Sequence, residues 1–154
     1  MKILVAVDGS EASEAAVQAA KAQPWPSGSQ IKVLSVAEPT HPPPPPMAGM
    51  GGAYPYPGTE TVSLNQELLN QAALVSQRAA NELRSTGYEV ESVAEFGDPR
   101  DAIVNQAREW KADLIVLGSH GRTGLKRWLL GSVAESVVRH APCSVEVARV
   151  PTAA

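Results

Sequence analysis

The sequence predicts an α/β protein in which five parallel strands form one sheet and helices cover both of its faces. Short apolar segments alternate along the chain with longer segments of helical pattern. The 154 residues suit a single domain, which we assign to residues 1–150. Hydrophobic residues make up 44% of the chain and charged residues 19%, as in globular proteins, so one packed core is expected.

The first two strands and the first helix are predicted from short local signals. Residues 3–7 form an apolar run that ends at the turn Asp8-Gly9-Ser10. Ser10 is a good N-cap for an Ala-rich helix through about Ala22, with acidic residues in its first turn. Residues 30–36 form the second predicted strand, which ends at Val36.

Residues 38–61 are predicted to form one long loop. Eight of the 13 prolines lie between Pro39 and Pro57, and proline neither donates to a sheet nor continues a helix. We expect polyproline II conformation in the first part and flexibility in the Gly-rich second part. A low-complexity connection is the default interpretation, and a motif for a protein partner is the alternative.

The second half continues the alternation, beginning with a long helix. Ser63 and Gln66 form a capping-box pattern for a helix that runs to about Ser85 and stops at Gly87. Residues 89–94 form a partly charged strand, which suits an edge of the sheet better than its centre.

Two further helix and strand pairs follow. Asp98-Pro99 opens the third helix, with Asp98 as the cap. Residues 114–117 are continuously apolar, which indicates a strand buried on both faces. Residues 131–140 and 144–147 complete the chain as a helix and a strand. Right-handed crossovers then produce a doubly wound, Rossmann-like or flavodoxin-like sandwich.

Ligands of doubly wound sheets bind beyond the carboxyl ends of the strands, and two such ends carry suggestive residues. The first is Asp8, and the second is the segment from Gly118 to Gly124. Glycines with positive φ would expose backbone N–H groups as an anion nest, and the helix start at Gly131 would add donors. These features predict phosphate binding, and the alternative is that the glycines serve turns and packing. The sequence contains neither a Walker A motif nor a dinucleotide fingerprint.

The spacing of these glycines resembles a known family. Gly118-x-x-Gly121, nine residues and then Gly131-Ser132 reproduce the G-x2-G-x9-G-[ST] pattern of universal stress proteins. Residues 3–10, 112–118 and 140–143 are similar to other landmarks of that family. The resemblance covers the chain outside the Pro-rich segment.

The resemblance implies that the chain binds ATP, or AMP or ADP, with Mg²⁺ as a further candidate ligand. It places Ala6, Val7 and Asp8 against base and ribose, with the Asp8 carboxylate on a ribose hydroxyl or a metal ion. The backbone of Val36 would contact adenine. The residues expected around ribose and phosphates are Leu117, Gly118, His120, Gly121, Gly131, Ser132 and Val133, with Arg122 and Lys126 screening phosphate charge. Side chains at Gly121 and Gly131 are expected to block binding without unfolding the chain.

The remaining expectations concern partners and location. The resemblance implies a homodimer through the last strand at Val145 and Val147, although Glu146 interrupts the apolar pattern of that strand. Thirteen basic against 16 acidic residues give a net charge of −3, which argues against a nucleic-acid partner. One cysteine, Cys143, and no bilayer-length apolar stretch lead us to expect a cytoplasmic protein without a membrane partner.

The function that the resemblance implies is that of an ATP-binding stress-response regulator. The first alternative is a slow ATPase or phosphotransferase, although phosphoryl transfer needs metal ligands and a positioned nucleophile beyond Asp8. The second alternative is a partner-binding module that acts through its Pro-rich loop.

Overall fold

A computed structural model describes residues 1–39, 59–121 and 130–151. Strands and helices alternate in the predicted order along these residues. The elements are β1 (Lys2–Ala6), α1 (Glu11–Ala22), β2 (Gln30–Ala37), α2 (Thr59–Arg84), β3 (Glu89–Phe96), α3 (Pro99–Trp110), β4 (Leu114–Gly118), α4 (Ser132–His140) and β5 (Ser144–Ala148).

The five strands form one parallel sheet in the order β3-β2-β1-β4-β5. This arrangement confirms the predicted doubly wound α/β class. From β1 at the centre, the chain adds β2 and then β3 on one side. It then crosses back and adds β4 and β5 on the other side of β1. The topological switch point therefore lies between β1 and β4. The charged strand β3 lies at an edge, as predicted.

Side chains alternate between two hydrophobic cores, one on each face of the sheet. Ile3 and Val5 point into the core under α1 and α2, whereas Leu4 and Ala6 point into the core under α3 and α4. Residues 114–117 in β4 are buried and contribute to both cores, which confirms that this strand is covered on both faces.

Two helices begin with the side-chain caps that the sequence predicts. The Ser10 hydroxyl accepts a hydrogen bond from the backbone N–H of Ser13 at 3.2 Å. The Asp98 carboxylate accepts one from the backbone N–H of Arg100 at 2.9 Å. These bonds satisfy donors that a helix start otherwise leaves without partners.

The start of α2 corrects the predicted loop boundary. The helix begins at Thr59 rather than at Ser63, so the connection after β2 ends at residue 58 and not at residue 61. No proline or glycine occurs between these two residues, and nothing in the local sequence therefore stops the helix from extending backward. The rest of the predicted loop, residues 40–58, lies outside the described residues. None of the described helices, α2 included, combines the length and apolar character needed to cross a membrane.

Candidate functional site

A cleft of about 420 Å³ opens at the carboxyl ends of β1, β2 and β4. This volume lies in the range of small-molecule sites, about 300–1,000 Å³. The cleft also lies at the switch point of the strand order, where doubly wound sheets bind their ligands. Its position and size therefore make it the candidate site.

Most of the residues predicted for the site line this cleft. They are Ala6, Val7, Asp8, Val36, Leu117, Gly118, His120, Gly121, Gly131, Ser132 and Val133. The other two, Arg122 and Lys126, lie outside the described residues. Strand ends that are far apart in sequence thus meet in one cavity.

The turn after β1 holds the Asp8 side chain in place. Its Oδ1 atom accepts a hydrogen bond from the backbone N–H of Ser10 at 2.9 Å. Gly9 has φ of 79°, a left-handed conformation that glycine adopts without steric cost. The other carboxylate oxygen faces Gly121, because a Cβ added there would lie 3.0 Å from Asp8 Oδ2.

Two backbone hydrogen bonds bring the start of α4 beside the end of β4. The Ser119 N–H donates to the Ala148 carbonyl at 2.8 Å, which anchors the end of β4 to β5. The Gly131 N–H donates to the Ser119 carbonyl, also at 2.8 Å. Residues 118–121 and the first turn of α4 therefore form one continuous wall of the cleft.

The start of α4 differs from the starts of α1 and α3. Its N-cap residue is Gly131, and no side chain of the described residues caps it. The first three helical residues, 132–134, line the cleft. Their N–H groups have no acceptor within the helix, and the positive end of the helix dipole lies here. This end of the cleft therefore suits a negatively charged group.

His120 brings a second polar group to the same wall. Its Nδ1 atom lies 3.0 Å from the Ser119 hydroxyl oxygen. Its Nε2 atom is buried and has no hydrogen-bond partner among the described residues. Buried polar atoms in native proteins usually have a partner, so this nitrogen is an exception among the described residues.

The backbone conformations of the cleft glycines differ from those that the sequence predicts. Gly118, Gly121 and Gly131 do not adopt the left-handed conformation, and Gly131 has φ of −64°. A Cβ at Gly118 would lie 2.5 Å from both the carbonyl carbon and the carbonyl oxygen of Ala12. The expected nest of positive-φ glycines is therefore wrong. These glycines instead allow the backbone to pass close to its neighbours.

The long helix α2 supplies a wall that sequence reasoning missed. Leu68, Gln71 and Ala72 line the cleft from this helix, and Glu38 lines it just beyond β2. The remaining residues that sequence reasoning missed are Ser13, Leu34, Ser35, Ala37, Pro99, Ile103 and Ala134. Leu68 and Ala72 follow a helical apolar spacing, which identifies an inward face but not the strand beneath it.

Asp8 is not part of a larger cluster of metal ligands in the described part of the chain. Residues 1–39, 59–121 and 130–151 contain no group of three or more His, Cys, Asp and Glu side chains placed to hold a metal ion. Any cation at Asp8 would therefore need ligands from elsewhere, such as phosphate oxygens or water.

Comparison with known proteins identifies the family. Residues 1–149 match the model of the universal stress protein family. A protein of Staphylococcus aureus strain USA300 that is named as a universal stress protein is 34% identical over 149 residues, which cover 96% of this chain and 82% of that protein. The chain therefore belongs to the universal stress protein family.

Several solved structures share the fold of this chain. The protein MJ0577 superimposes with a TM-score of 0.78 at 27% identity, over 99% of this chain and 97% of that one. A universal stress protein family member from Arabidopsis thaliana with AMP bound shares the fold at a TM-score of 0.65 and 19% identity, over 99% of this chain and 93% of that one. A universal stress protein in complex with cAMP does so at 0.63 and 22%, over 98% of both chains.

Proposed function

We propose that this protein is a regulator controlled by ATP, or by AMP or ADP, bound in the cleft. The phosphates lie against the start of α4, and the base lies toward the end of β2. Two proteins of the same fold were crystallised with AMP and with cAMP, which supports an adenine nucleotide as the ligand class.

The observation that carries the proposal is the open start of α4. Its first-turn residues line the cleft without a side-chain cap among the described residues, and His120 lines the cleft as well. Backbone donors at a helix start, together with the helix dipole, form an anion site that phosphate oxygens fit. An anionic group gains from the helix dipole as well as from these donors, whereas a neutral acceptor gains from the donors alone.

The opposite end of the cleft suits a flat apolar ring. Leu34, Val36 and Ala37 from β2 line the cavity, as do Leu68 and Ala72 from α2. The backbone edge of Val36 is the group that we expect to contact adenine. Glu38 lies at this end, and its negative charge disfavours phosphate there. The charge difference between the two ends sets the orientation of the nucleotide.

Asp8 lies beside the wall that we assign to the phosphates. Its carboxylate is suited to a ribose hydroxyl or to a Mg²⁺ ion that the nucleotide brings with it. When bound, such an ion would neutralise phosphate charge next to the carboxylate.

Two measurements test the proposed function. Mass spectrometry of small molecules released from freshly purified protein is expected to show an adenine nucleotide. Isothermal titration calorimetry with ATP is expected to show one site per chain. Protein that carries no nucleotide and gives no heat with ATP, ADP or AMP would refute the proposal.

The enzymatic alternative has its own test. With Mg²⁺ and saturating ATP, hydrolysis is expected to be far below the roughly 1–100 per second of kinases, because the described residues offer no metal-ligand cluster. Turnover in that range, lost on Asp8→Asn, would favour a phosphotransferase. Capture of a protein partner that depends on residues 40–58 would instead favour the partner-binding alternative.

We also propose a homodimer through β5. This strand pairs with β4 on one side, and its other edge is unpaired within the described residues, as an intermolecular strand pair requires. Val145 and Val147 pack toward the core under α3 and α4. The Glu146 carboxylate accepts a hydrogen bond from Gln23 Nε2 at 2.7 Å, so an intramolecular contact holds this side chain. Sedimentation showing only monomer at micromolar concentration would refute the dimer.

A further inference from the structure

We propose that the outer edge of β3 is a docking site for an extended, basic segment of a partner protein, which pairs with β3 as a sixth strand. The outer edge is the side of β3 that faces away from β2. No strand of the described residues pairs with it. The groove beside this edge shares no lining residue with the nucleotide cleft, so the inference does not depend on the proposed function.

The backbone of β3 directs a row of unpaired groups toward this edge. Successive residues of a strand direct their N–H and C=O groups to opposite sides. The Gly97 N–H donates to the Ala37 carbonyl at the end of β2, at 2.9 Å, so the odd-numbered positions of β3 bond to β2. The even-numbered positions therefore direct their backbone groups outward, and an edge of this kind is a template for another strand. They include Ser92, Ala94 and Phe96.

Arg84 covers only the first part of the edge. Its guanidinium donates to the Val90 carbonyl from Nε at 3.2 Å and from Nη2 at 3.0 Å. No hydrogen bond from a described side chain reaches the backbone of residues 92–96. β3 is also the one strand of the described sheet in which no residue is buried. Residues 92–96 are therefore open along the edge, and a stretch of this length is typical of strands.

A groove of about 310 Å³ lies beside the carboxyl half of β3, between this strand and α3. Asp101, Asn105 and Glu109 line it from α3, and their spacing of four residues places them on one face of the helix. Glu95 and Phe96 line it from β3, and the Phe96 side chain is exposed. No lysine or arginine of the described residues lines the groove. It therefore combines negative charge with an exposed aromatic side chain.

Most of this negative charge is not neutralised by neighbouring side chains. Asp98 also lines the groove, and it forms an ion pair with Arg100. Glu95, Asp101 and Glu109 form no ion pair with a lysine or arginine of the described residues. Three carboxylates are therefore available to the cations of a partner.

The charge pattern favours a basic partner over the alternatives. Val93 packs toward the core under α3 and α4, so Glu91 and Glu95, two positions to either side, lie on that face of β3. A second copy of β3 would bring the same glutamates against them, and like charges on paired strands are destabilising. Residues 40–58 of this chain contain no lysine or arginine. An extended segment with lysine or arginine at alternate positions fits, because alternate side chains lie on one face of a strand.

The test uses the full chain and the peptide acetyl-Lys-Val-Lys-Val-Lys-amide, and it follows backbone amide resonances during titration. We expect saturable shifts at Ser92, Ala94 and Phe96 and along residues 101–109. The peptide with glutamate in place of each lysine is expected not to bind. Raising the salt concentration from about 20 mM to about 200 mM is expected to weaken binding severalfold, because salt screens exposed charges.

Two changes separate strand pairing from charge attraction alone. Ala94→Pro removes an outward N–H that β2 does not use, and proline is tolerated at such edge positions. We expect affinity for the lysine peptide to fall by about twofold to tenfold, since one hydrogen bond is lost. The same peptide with every backbone nitrogen methylated keeps its charge but cannot donate, and it is expected to lose most of its binding. This peptide gives the same test if Ala94→Pro does not fold.

A charge variant tests the choice of partner. We expect affinity to fall by about threefold to 100-fold when the three carboxylates are neutralised, because each exposed ion pair changes affinity by about 1.5-fold to fivefold. The variant is Glu95→Gln with Asp101→Asn and Glu109→Gln. The matched control changes the net charge by the same amount at exposed residues of α1 and α4, and it is expected to bind as wild type does. It is Glu11→Gln with Glu14→Gln and Glu135→Gln.

Each outcome supports or overturns the inference. Shifts at residues 92–96 that are lost with the methylated peptide and reduced in the charge variant would support it. The absence of saturable shifts there at millimolar lysine peptide would overturn it. Undiminished binding of the methylated peptide would overturn the strand pairing, and equal binding by the charge variant and its control would overturn the choice of a basic partner. ATP is absent from these titrations, so the proposed function is tested separately.

Discussion

Gly118 lies so close to Ala12 that a Cβ at residue 118 would come within 2.5 Å of the Ala12 carbonyl carbon and oxygen. The backbone N atom of Ser13 would lie only 2.8 Å away. These atoms belong to the first turn of α1, which packs across the end of β4. The contact fixes the distance between the helix and the strand that together form one side of the cleft.

The first prediction concerns stability at this contact. Gly118→Ala forces the first turn of α1 away from β4, and overpacking of this kind costs about 1–3 kcal/mol. We expect a lower midpoint in chemical denaturation. Gly121→Ala is the matched control, because among the described residues its Cβ would meet only the tip of the Asp8 side chain, at 3.0 Å. Equal stability of the two variants would contradict the packing role of Gly118.

The second prediction concerns binding at Gly121. Gly121→Val displaces the Asp8 carboxylate and places a branched side chain in the cleft. We expect ATP affinity in calorimetry to fall by about tenfold to 150-fold, because one lost hydrogen bond to a charged group costs about 1.5–3 kcal/mol. A native far-UV spectrum with wild-type affinity would show that the nucleotide binds elsewhere.

A substitution at Gly131 tests nucleotide binding less specifically than the position of Gly131 in the sequence indicates. A Cβ there would lie 3.1 Å from the Ser119 carbonyl oxygen and 3.2 Å from His120 Cα, and both are backbone atoms. A valine at this position therefore strains the segment that joins β4 to α4. The expectation that a side chain at Gly131 would spare the fold stays a prediction, which denaturation of the variant tests.

The third prediction concerns the cap of α3. The side-chain hydrogen bonds from Arg100 lower the pKa of Asp98, against the smaller opposing effect of burial. Since the folded-state pKa is depressed, this stabilisation is present above the unfolded value of about 3.9 and is lost as pH falls through the folded value. Asp98→Ala is expected to cost about 0.5–2 kcal/mol at pH 7, and Asp98→Asn less, because asparagine still accepts from the Arg100 N–H.

Denaturation at several pH values checks this cap. The difference between wild type and Asp98→Asn is expected to shrink below about pH 4, where the carboxylate begins to gain its proton. A difference that stays constant from pH 7 to pH 2 would contradict the charge-based part of the stabilisation.

The order of strands and helices was predictable because each element carries its own local signal. The apolar run of β4, the Ser10 and Asp98 caps and the glycine after α2 all act over a few residues. The start of α2 was not predictable in the same way. A capping pattern at Ser63 shows where a helix is able to begin, but Thr59 shows that the helix extends further when no breaker precedes it.

Only part of the candidate site could be predicted from the sequence, for the same reason. The glycine spacing and Asp8 identify the strand ends around the phosphates, because these residues follow strands directly. Gln71 lines the cleft because α2 packs on β2 and β3, and a long connection sets no register for that packing. Glu38 follows β2 directly, as Asp8 follows β1, so its position carried a signal that the sequence analysis did not use. The prediction that the cleft glycines adopt the left-handed conformation was wrong for a related reason. Glycine spacing does not distinguish a positive φ from a close approach such as that of Gly118 to Ala12.

The fourth prediction concerns the single thiol. Burial raises the pKa of Cys143, and the negative charge of Asp113 raises it further. A smaller thiolate fraction at pH 7–8 is expected to make alkylation by iodoacetamide slower than that of an unfolded chain of the same sequence. A rate in the native protein that equals the rate in denaturant would show that the thiol is neither buried nor electrostatically shifted.

The location of the nucleotide is tested most directly by following backbone amide resonances while ATP is added. The account predicts that the largest shifts occur at Gly121, Gly131 and Ser132, at the phosphate end, and at Val36, at the base end. Lys32 and Trp110, whose side chains meet in a cation–π contact toward the amino ends of the strands, are expected to be unaffected. Saturable shifts confined to residues outside the cleft, or none at millimolar ATP, would contradict the assignment of this cleft as the nucleotide site.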